Sequence, residues 1–327
     1  ANPRALGAAI FGIGAYTLCF SALQTLNAEG QALWMLFASP VRIDKVLIEK
    51  GLFWGALVLF WPAVMVALLV YRDGALDGPT LAVVALVAVG LPIYGVIASC
   101  LGVFACRPLA VEKQKRIDPA YFYLFLLLSS LHTYAIFAQS TWARVGSLAL
   151  SSLLAVALWQ KATDRLPYLL DPDAAPPPTV SLSDGLIAVQ SFFVVQGLVM
   201  IGATLAHDGK LEDPGAWVLV AFCSAGALTW TLAQLLFWRA KTVGVPRILG
   251  AHWLTSTPLA IVVGLLAAAL GVGWTQLAAH TDVLPDSFQK VASSASKPQW
   301  WLAALAIIAA PLFEEFIFRG LVFRGLR

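Results

Sequence analysis

Long apolar runs, broken by short polar and basic stretches, dominate the hydrophobic pattern of this chain. Nine runs are long enough to be helices that cross a bilayer, at approximately 5–23, 52–71, 81–105, 119–138, 144–160, 186–206, 215–238, 255–279 and 299–318. A hydrocarbon core requires about 20 consecutive apolar residues per helix. No strand-like alternation competes with these runs, so the expected fold class is all-α: a polytopic transmembrane helix bundle of about nine spans. The run 144–160 is short, and 255–279 contains several glycines and Pro258.

The basic residues between the runs fall into two alternating sets. One holds Arg42, Lys45, Lys50, Arg107, Lys113, Lys115, Arg116, Lys161, Arg165, Arg239, Lys241, Arg247, Arg319, Arg324 and Arg327; the other holds Arg4, Arg72, Arg144, Lys210, Lys290 and Lys297. The split is fifteen to six among 21 Lys and Arg. By the positive-inside rule the larger set is cytoplasmic. The chain then starts outside and ends inside, an unusual start for a permease of bacterial type, and we expect that it begins partway into its first domain. The expected location is the bacterial inner membrane.

Composition agrees with the pattern. Hydrophobic residues make up 60% and charged residues 12%, against about 25% charged in soluble domains; mean hydropathy is +0.81. A formal charge of +3 gives no reason to expect a nucleic-acid partner; the expected surroundings are lipid. Cys19, Cys100, Cys106 and Cys223 lie in or beside apolar runs without a CxxC pair, which reads as small buried hydrophobes rather than a disulfide framework or a metal site.

The least apolar stretch, 161–184, contains Asp171-Pro172-Asp173 and Pro176-Pro177-Pro178. Consecutive prolines cannot continue a helix, so a linker is expected here, dividing the chain into domains 1–178 and 179–327. The segment 280–298, with His280 and Asp282, reads as a solvated loop.

In the first half, Glu29 to Pro40 places Leu33, Leu36 and Phe37 at helical spacing, as in a short helix lying on the membrane surface. Ser39-Pro40 ends it, and Arg42 to Lys50 starts the next helix. The pattern Glu29-Gly30, Leu33-Trp34, Leu36, Ser39-Pro40, a basic residue, then Lys50-Gly51 resembles the cytoplasmic loop of ABC-type exporter permeases. The run Leu166-Pro167-Tyr168-Leu169-Leu170-Asp171-Pro172 is similar to the end of such a domain. The resemblance covers roughly 1–178 and implies a separate ABC ATPase subunit as partner; the chain itself has no GxxxxGK[ST] loop. His132 lies inside the fourth run. An ionisable residue at that depth is a candidate site by default, with a histidine bonded to a neighbouring helix as the more ordinary reading.

The chain's clearest chemistry is near its end, in Ala310-Pro311-Leu312-Phe313-Glu314-Glu315-Phe316-Ile317-Phe318-Arg319-Gly320. Each acidic residue in a membrane helix costs about 2.5–3.5 kcal/mol on insertion scales. Glu315 and Arg319 are four apart, the spacing of an ion pair on one helix face. Glu314 is rotated about 100° away and has no sequence-local cation. Held in an apolar pocket, it would be a carboxylate able to take a proton from water. Pro311 kinks the helix just ahead of it. A structural charge cluster with Arg319, Arg324 and Arg327 accounts for the same residues equally well.

This segment resembles the EExxxR-G signature of the CAAX-protease and bacteriocin-processing family of intramembrane proteases, and the resemblance covers roughly 180–327. It implies Glu314 as the base that activates water, with Glu315 and Arg319 in support. It implies no metal or cofactor, and a small exported peptide or a prenylated protein tail as substrate. The family's further FxxxH and HxxxN motifs follow the first one. The chain ends eight residues after Arg319, and we expect the natural sequence to continue. His207, His252 and His280 lie upstream of the signature and do not stand in for those motifs. The function implied is a membrane-embedded endopeptidase fused to an exporter permease. The alternative is a permease subunit whose protease-like half is not catalytic.

Overall fold

The structure is a computed structural model that describes residues 2–29, 32–40, 42–74, 77–108, 118–138, 141–171, 174–176, 180–207, 214–239 and 304–325. It is 88% helical, with no strand among the described residues. The helices are α1 (Pro3–Phe20), α2 (Leu33–Ala38), α3 (Ile43–Val58), α4 (Phe60–Asp73), α5 (Gly78–Ala105), α6 (Pro119–Phe137), α7 (Thr141–Arg165), α8 (Leu182–Ala206) and α9 (Pro214–Arg239). A last helical run, α10, covers 304–325.

Seven segments among the described residues are long and apolar enough to cross a membrane: Pro3–Gln24, Ile43–Arg72, Gly78–Ala105, Pro119–Phe137, Ala143–Tyr168, Leu182–Ala206 and Ala216–Gln234. The chain is thus an all-α, multi-pass integral membrane protein. These segments match the first seven apolar runs. The eighth, 255–279, lies outside the described residues, and the ninth, 299–318, is described from 304 onward. The weak run 144–160 sits within the 25-residue α7.

Helix starts follow from the sequence. Asn2 accepts a hydrogen bond from the Arg4 amide at 3.0 Å and opens α1. Asp77 accepts from the Thr80 amide at 3.1 Å and opens α5. Asp118 accepts from the Ala120 amide at 3.1 Å and opens α6. Each cap stands before a proline in the first turn, where the missing N–H costs nothing because those amides have no intrahelical partner. Asp118 also accepts from the Arg107 guanidinium at 2.7 Å, tying the end of α5 to the start of α6. The second span is interrupted at Leu59, between α3 and α4. Pro62, three residues on, has no N–H for the Val58 carbonyl, and its ring crowds that carbonyl. The Leu59 amide turns back to the Ala56 carbonyl at 3.2 Å instead.

The chain divides into two compact units, one built on Ala1–Val194 and the other on Val195–Arg324. The division falls inside α8, beyond the proline-rich stretch. In the first unit α5 is central and packs against α1, α3, α6 and α7. Its core includes Phe11, Leu18, Leu91, Tyr94, Ile97 and Phe125. The start of α8 belongs to this unit for local reasons. Asp184 accepts two hydrogen bonds from Lys161 on α7, at 2.7 and 2.9 Å. Asp184 also accepts from the Ser181 amide at 2.9 Å and the Ser181 hydroxyl at 2.7 Å. Leu186 joins the same core. Leu52, Phe53, Leu57, Phe60 and Tyr71 on α3 and α4 are exposed, an apolar surface suited to acyl chains.

In the second unit α9 packs against α10. Phe313 on α10 lies against Gly226 on α9, where a Cβ would overlap its ring. Its ring centroid is 6.4 Å from that of Phe222. A glycine here lets the helix backbone approach the aromatic ring, the usual role of small residues between membrane helices.

Candidate functional site

The residues singled out at the end of the chain, Glu314, Glu315 and Arg319, all lie on α10, which is not a regular α-helix. It runs as a π-helical turn at Leu305–Ala309, an α-helical turn at Ala310–Glu314, a longer π-helical stretch at Glu315–Val322 and a final α-helical turn at Phe323–Gly325. The first π turn closes with the Ala310 amide on the Leu305 carbonyl. It comes immediately before Pro311, whose ring and missing N–H cannot be fitted into tight i→i+4 bonding. A wider i→i+5 turn is one of the recognised ways a helix absorbs such a defect. The second π stretch ends with the Phe323 amide on the Phe318 carbonyl. Glu314 and Glu315 sit at the junction between the α-helical and π-helical geometries.

Packing fixes which side of α10 is turned inward. Phe313, Phe316, Ile317 and Leu321 are buried, Phe316 almost completely. Glu314 and Glu315 are both exposed. The two carboxylates therefore share the accessible side of the helix. No group of three or more His, Cys, Asp or Glu side chains that could hold a metal ion occurs among the described residues. His207 is bonded through Nδ1 to the Ala203 carbonyl at 2.9 Å and packs edge-on against Trp217. His252 and His280 lie outside the described residues.

The first unit carries two further polar features. At one, α2 forms as expected and stops at Ser39. Leu33 is buried, while Trp34 and Met35 on the same short helix are exposed. Lys50 of α3 is ion-paired with Glu29 at the start of the segment. Arg42 pairs with Asp44 through two bonds, at 2.6 and 3.1 Å. Beside them a cavity of about 420 Å³ is lined by Leu36, Phe37, Arg42, Asp44, Asp164 and Leu166, among others.

The other feature is buried. His132 is completely enclosed. Its ring lies 4.7 Å from that of Phe11 and 5.6 Å from that of Tyr94. Nε2 is 3.3 Å from the Leu86 carbonyl on α5. Gly90, one turn further along α5, leaves room for the ring, since a Cβ there would overlap the imidazole. Tyr94 donates to the Leu128 carbonyl at 2.8 Å and meets the Ser151 hydroxyl at 3.1 Å. Gln190 donates to the Leu150 carbonyl at 3.3 Å. The sequence singled out His132 and expected a bond to a neighbouring helix. That bond is present, but it uses only one ring nitrogen. Tyr94, Ser151 and Gln190 were missed, because hydroxyl and amide side chains in apolar runs give no signal until their partners are known.

No protein-family model matches this chain, and no curated protein or solved structure matches it either.

Proposed function

We propose that the chain is a membrane-embedded endopeptidase in which Glu314 activates water, joined to an exporter permease-like first half. The observation that carries this reading is the pair of adjacent carboxylates, Glu314 and Glu315, on the accessible side of a helix whose other side is held by Phe313 and Phe316. Two glutamates at the end of an apolar segment are costly to insert. The junction between α- and π-helical geometry at this point is a further mark of a functional segment. The resemblance to the EExxxR-G signature assigns the roles. Glu314 takes a proton from water, the resulting hydroxide attacks the peptide carbonyl, and the proton passes to the leaving amine. Glu315 and Arg319 support the base. The substrate is a small exported peptide or a prenylated tail, approached from the cytoplasmic side of a bacterial inner membrane.

The test is cleavage of a membrane-tethered peptide reporter by the full-length protein and its variants. Glu314→Gln should reduce cleavage by at least about 10²–10⁴-fold, the usual contribution of a general base, with the protein still inserted and folded. Cleavage that persists at the original rate in this variant rejects the assignment.

A second reading rests on a different observation. The short helix α2, with Trp34 and Met35 exposed beside the Glu29–Lys50 pair, fits a surface on which an ABC ATPase subunit docks. In that reading the chain is an exporter permease subunit and the glutamates are structural. Export would then require the co-expressed ATPase, would fall on substitution of Trp34 and Met35, and would be indifferent to Glu314→Gln.

A further inference from the structure

We propose that His132 is an internal water-binding site within the first helix bundle, with its Nδ1 accepting a hydrogen bond from one enclosed water molecule. The site follows from where the hydrogens of the surrounding groups go, and is independent of any reading of Glu314.

His132 is completely buried, and its Nδ1 has no hydrogen-bond partner among the described residues. Its Nε2 faces the Leu86 carbonyl at 3.3 Å. A carbonyl only accepts, so Nε2 carries the hydrogen. The rings beside it, Phe11 and Tyr94, offer no anion to balance a charged imidazole. A buried charge without a partner is disfavoured, so the ring is neutral. In the neutral ring with Nε2 protonated, Nδ1 is a bare acceptor.

The nearby hydroxyls cannot supply the missing hydrogen. Tyr94 gives its one hydrogen to the Leu128 carbonyl at 2.8 Å, so Ser151 is the donor in the 3.1 Å contact between the two hydroxyls. On the same helix as His132, Ser129 donates to the Leu126 carbonyl at 2.9 Å and Ser130 to the Leu127 carbonyl at 2.7 Å. Thr133 donates to the Ser129 carbonyl at 3.1 Å. Each of these hydrogens is already committed.

Buried polar atoms left over in this way are commonly met by ordered water. Phe11 lies over the ring at 4.7 Å, and Gly90 crowds its Nε2 edge, so the atom left to be met is Nδ1.

The experiment uses the full chain, labelled with ¹⁵N-histidine and reconstituted in bilayers, and reads the imidazole nitrogens by solid-state NMR. There are four histidines. The His132 signals are assigned by elimination with His207→Gln, His252→Gln and His280→Gln, each of which leaves His132 in place. The expected result is a neutral ring protonated at Nε2, an Nδ1 signal displaced in the direction of hydrogen-bond acceptance, and transfer of magnetisation from water protons to that nitrogen. A ring protonated at Nδ1, or no transfer from water to His132 Nδ1, overturns the proposal.

Discussion

The interior of the first unit and the outer side of α10 treat polar residues in opposite ways. In the first unit, His132, Tyr94, Ser151 and Gln190 lie deep in the bundle, and each bonds to a different helix from its own. On α10 Glu314 and Glu315 are kept at the accessible side, and the aromatic residues Phe313 and Phe316 do the packing. The difference follows from charge. A hydroxyl, an amide or a neutral imidazole can be accommodated between helices when a carbonyl is within reach. A carboxylate requires a cation or water, and is much more costly to enclose. Polar groups of the first kind hold helices in register, and those of the second kind remain available for chemistry.

The sharpest way to break this comparison is to remove the ring that encloses His132. Phe11 is fully buried and touches both His132 and Tyr94. Phe→Ala costs about 3–5 kcal/mol in soluble cores. Part of that is absent here, because the separated helices are also in an apolar solvent. Phe11→Ala should still give the largest loss of thermal stability among these variants, read as the melting temperature of purified protein in detergent. A loss no greater than that of an exposed residue such as Phe53 would show that the first unit is not organised around this cluster.

The second unit has its own version of the test. Gly226→Leu drives a side chain into the space of the Phe313 ring, and overpacking of this kind costs about 1–3 kcal/mol. It should also disturb the presentation of Glu314, so cleavage should fall together with stability. Tyr94→Phe is milder. It removes the bonds to Leu128 and Ser151 but keeps the ring, and a hydrogen bond between membrane helices averages about 0.6 kcal/mol. A small, measurable drop in melting temperature is expected, and no change in cleavage.

Much of this organisation could be read from the sequence because it depends on length and local pattern. Twenty apolar residues make a span wherever they occur, and Asp77-Gly78-Pro79 or Asp118-Pro119 marks a helix start through contacts within three residues. The Glu-Glu pair and Pro311 could be read for the same reason. What could not be read depends on partners far away in sequence. His132 is 46 positions from Leu86, and Tyr94 is 57 from Ser151; no local rule pairs them. The break at Leu59 could have been found from Pro62, but a continuous apolar run hides it. The two π-helical stretches of α10 were not anticipated, because helical-wheel reasoning assumes one rotation per residue throughout.

The smallest expected effect separates the two regions most cleanly. Glu314 is exposed, and surface substitutions away from special features change stability by no more than about 0.5 kcal/mol. Glu314→Gln keeps the shape and removes only the charge and the ability to take a proton. Its melting temperature should therefore match that of the unsubstituted protein, in contrast to Phe11→Ala, while peptide cleavage is lost. A glutamate whose task was to hold helices together would behave the other way round, with lowered melting temperature and no specific loss of activity. Measuring both quantities on the same preparation tests the division directly: buried neutral polar groups should register in stability, and the accessible carboxylate in chemistry. If Glu314→Gln melts as early as Phe11→Ala, the carboxylate is part of the framework and the distinction between the two regions fails.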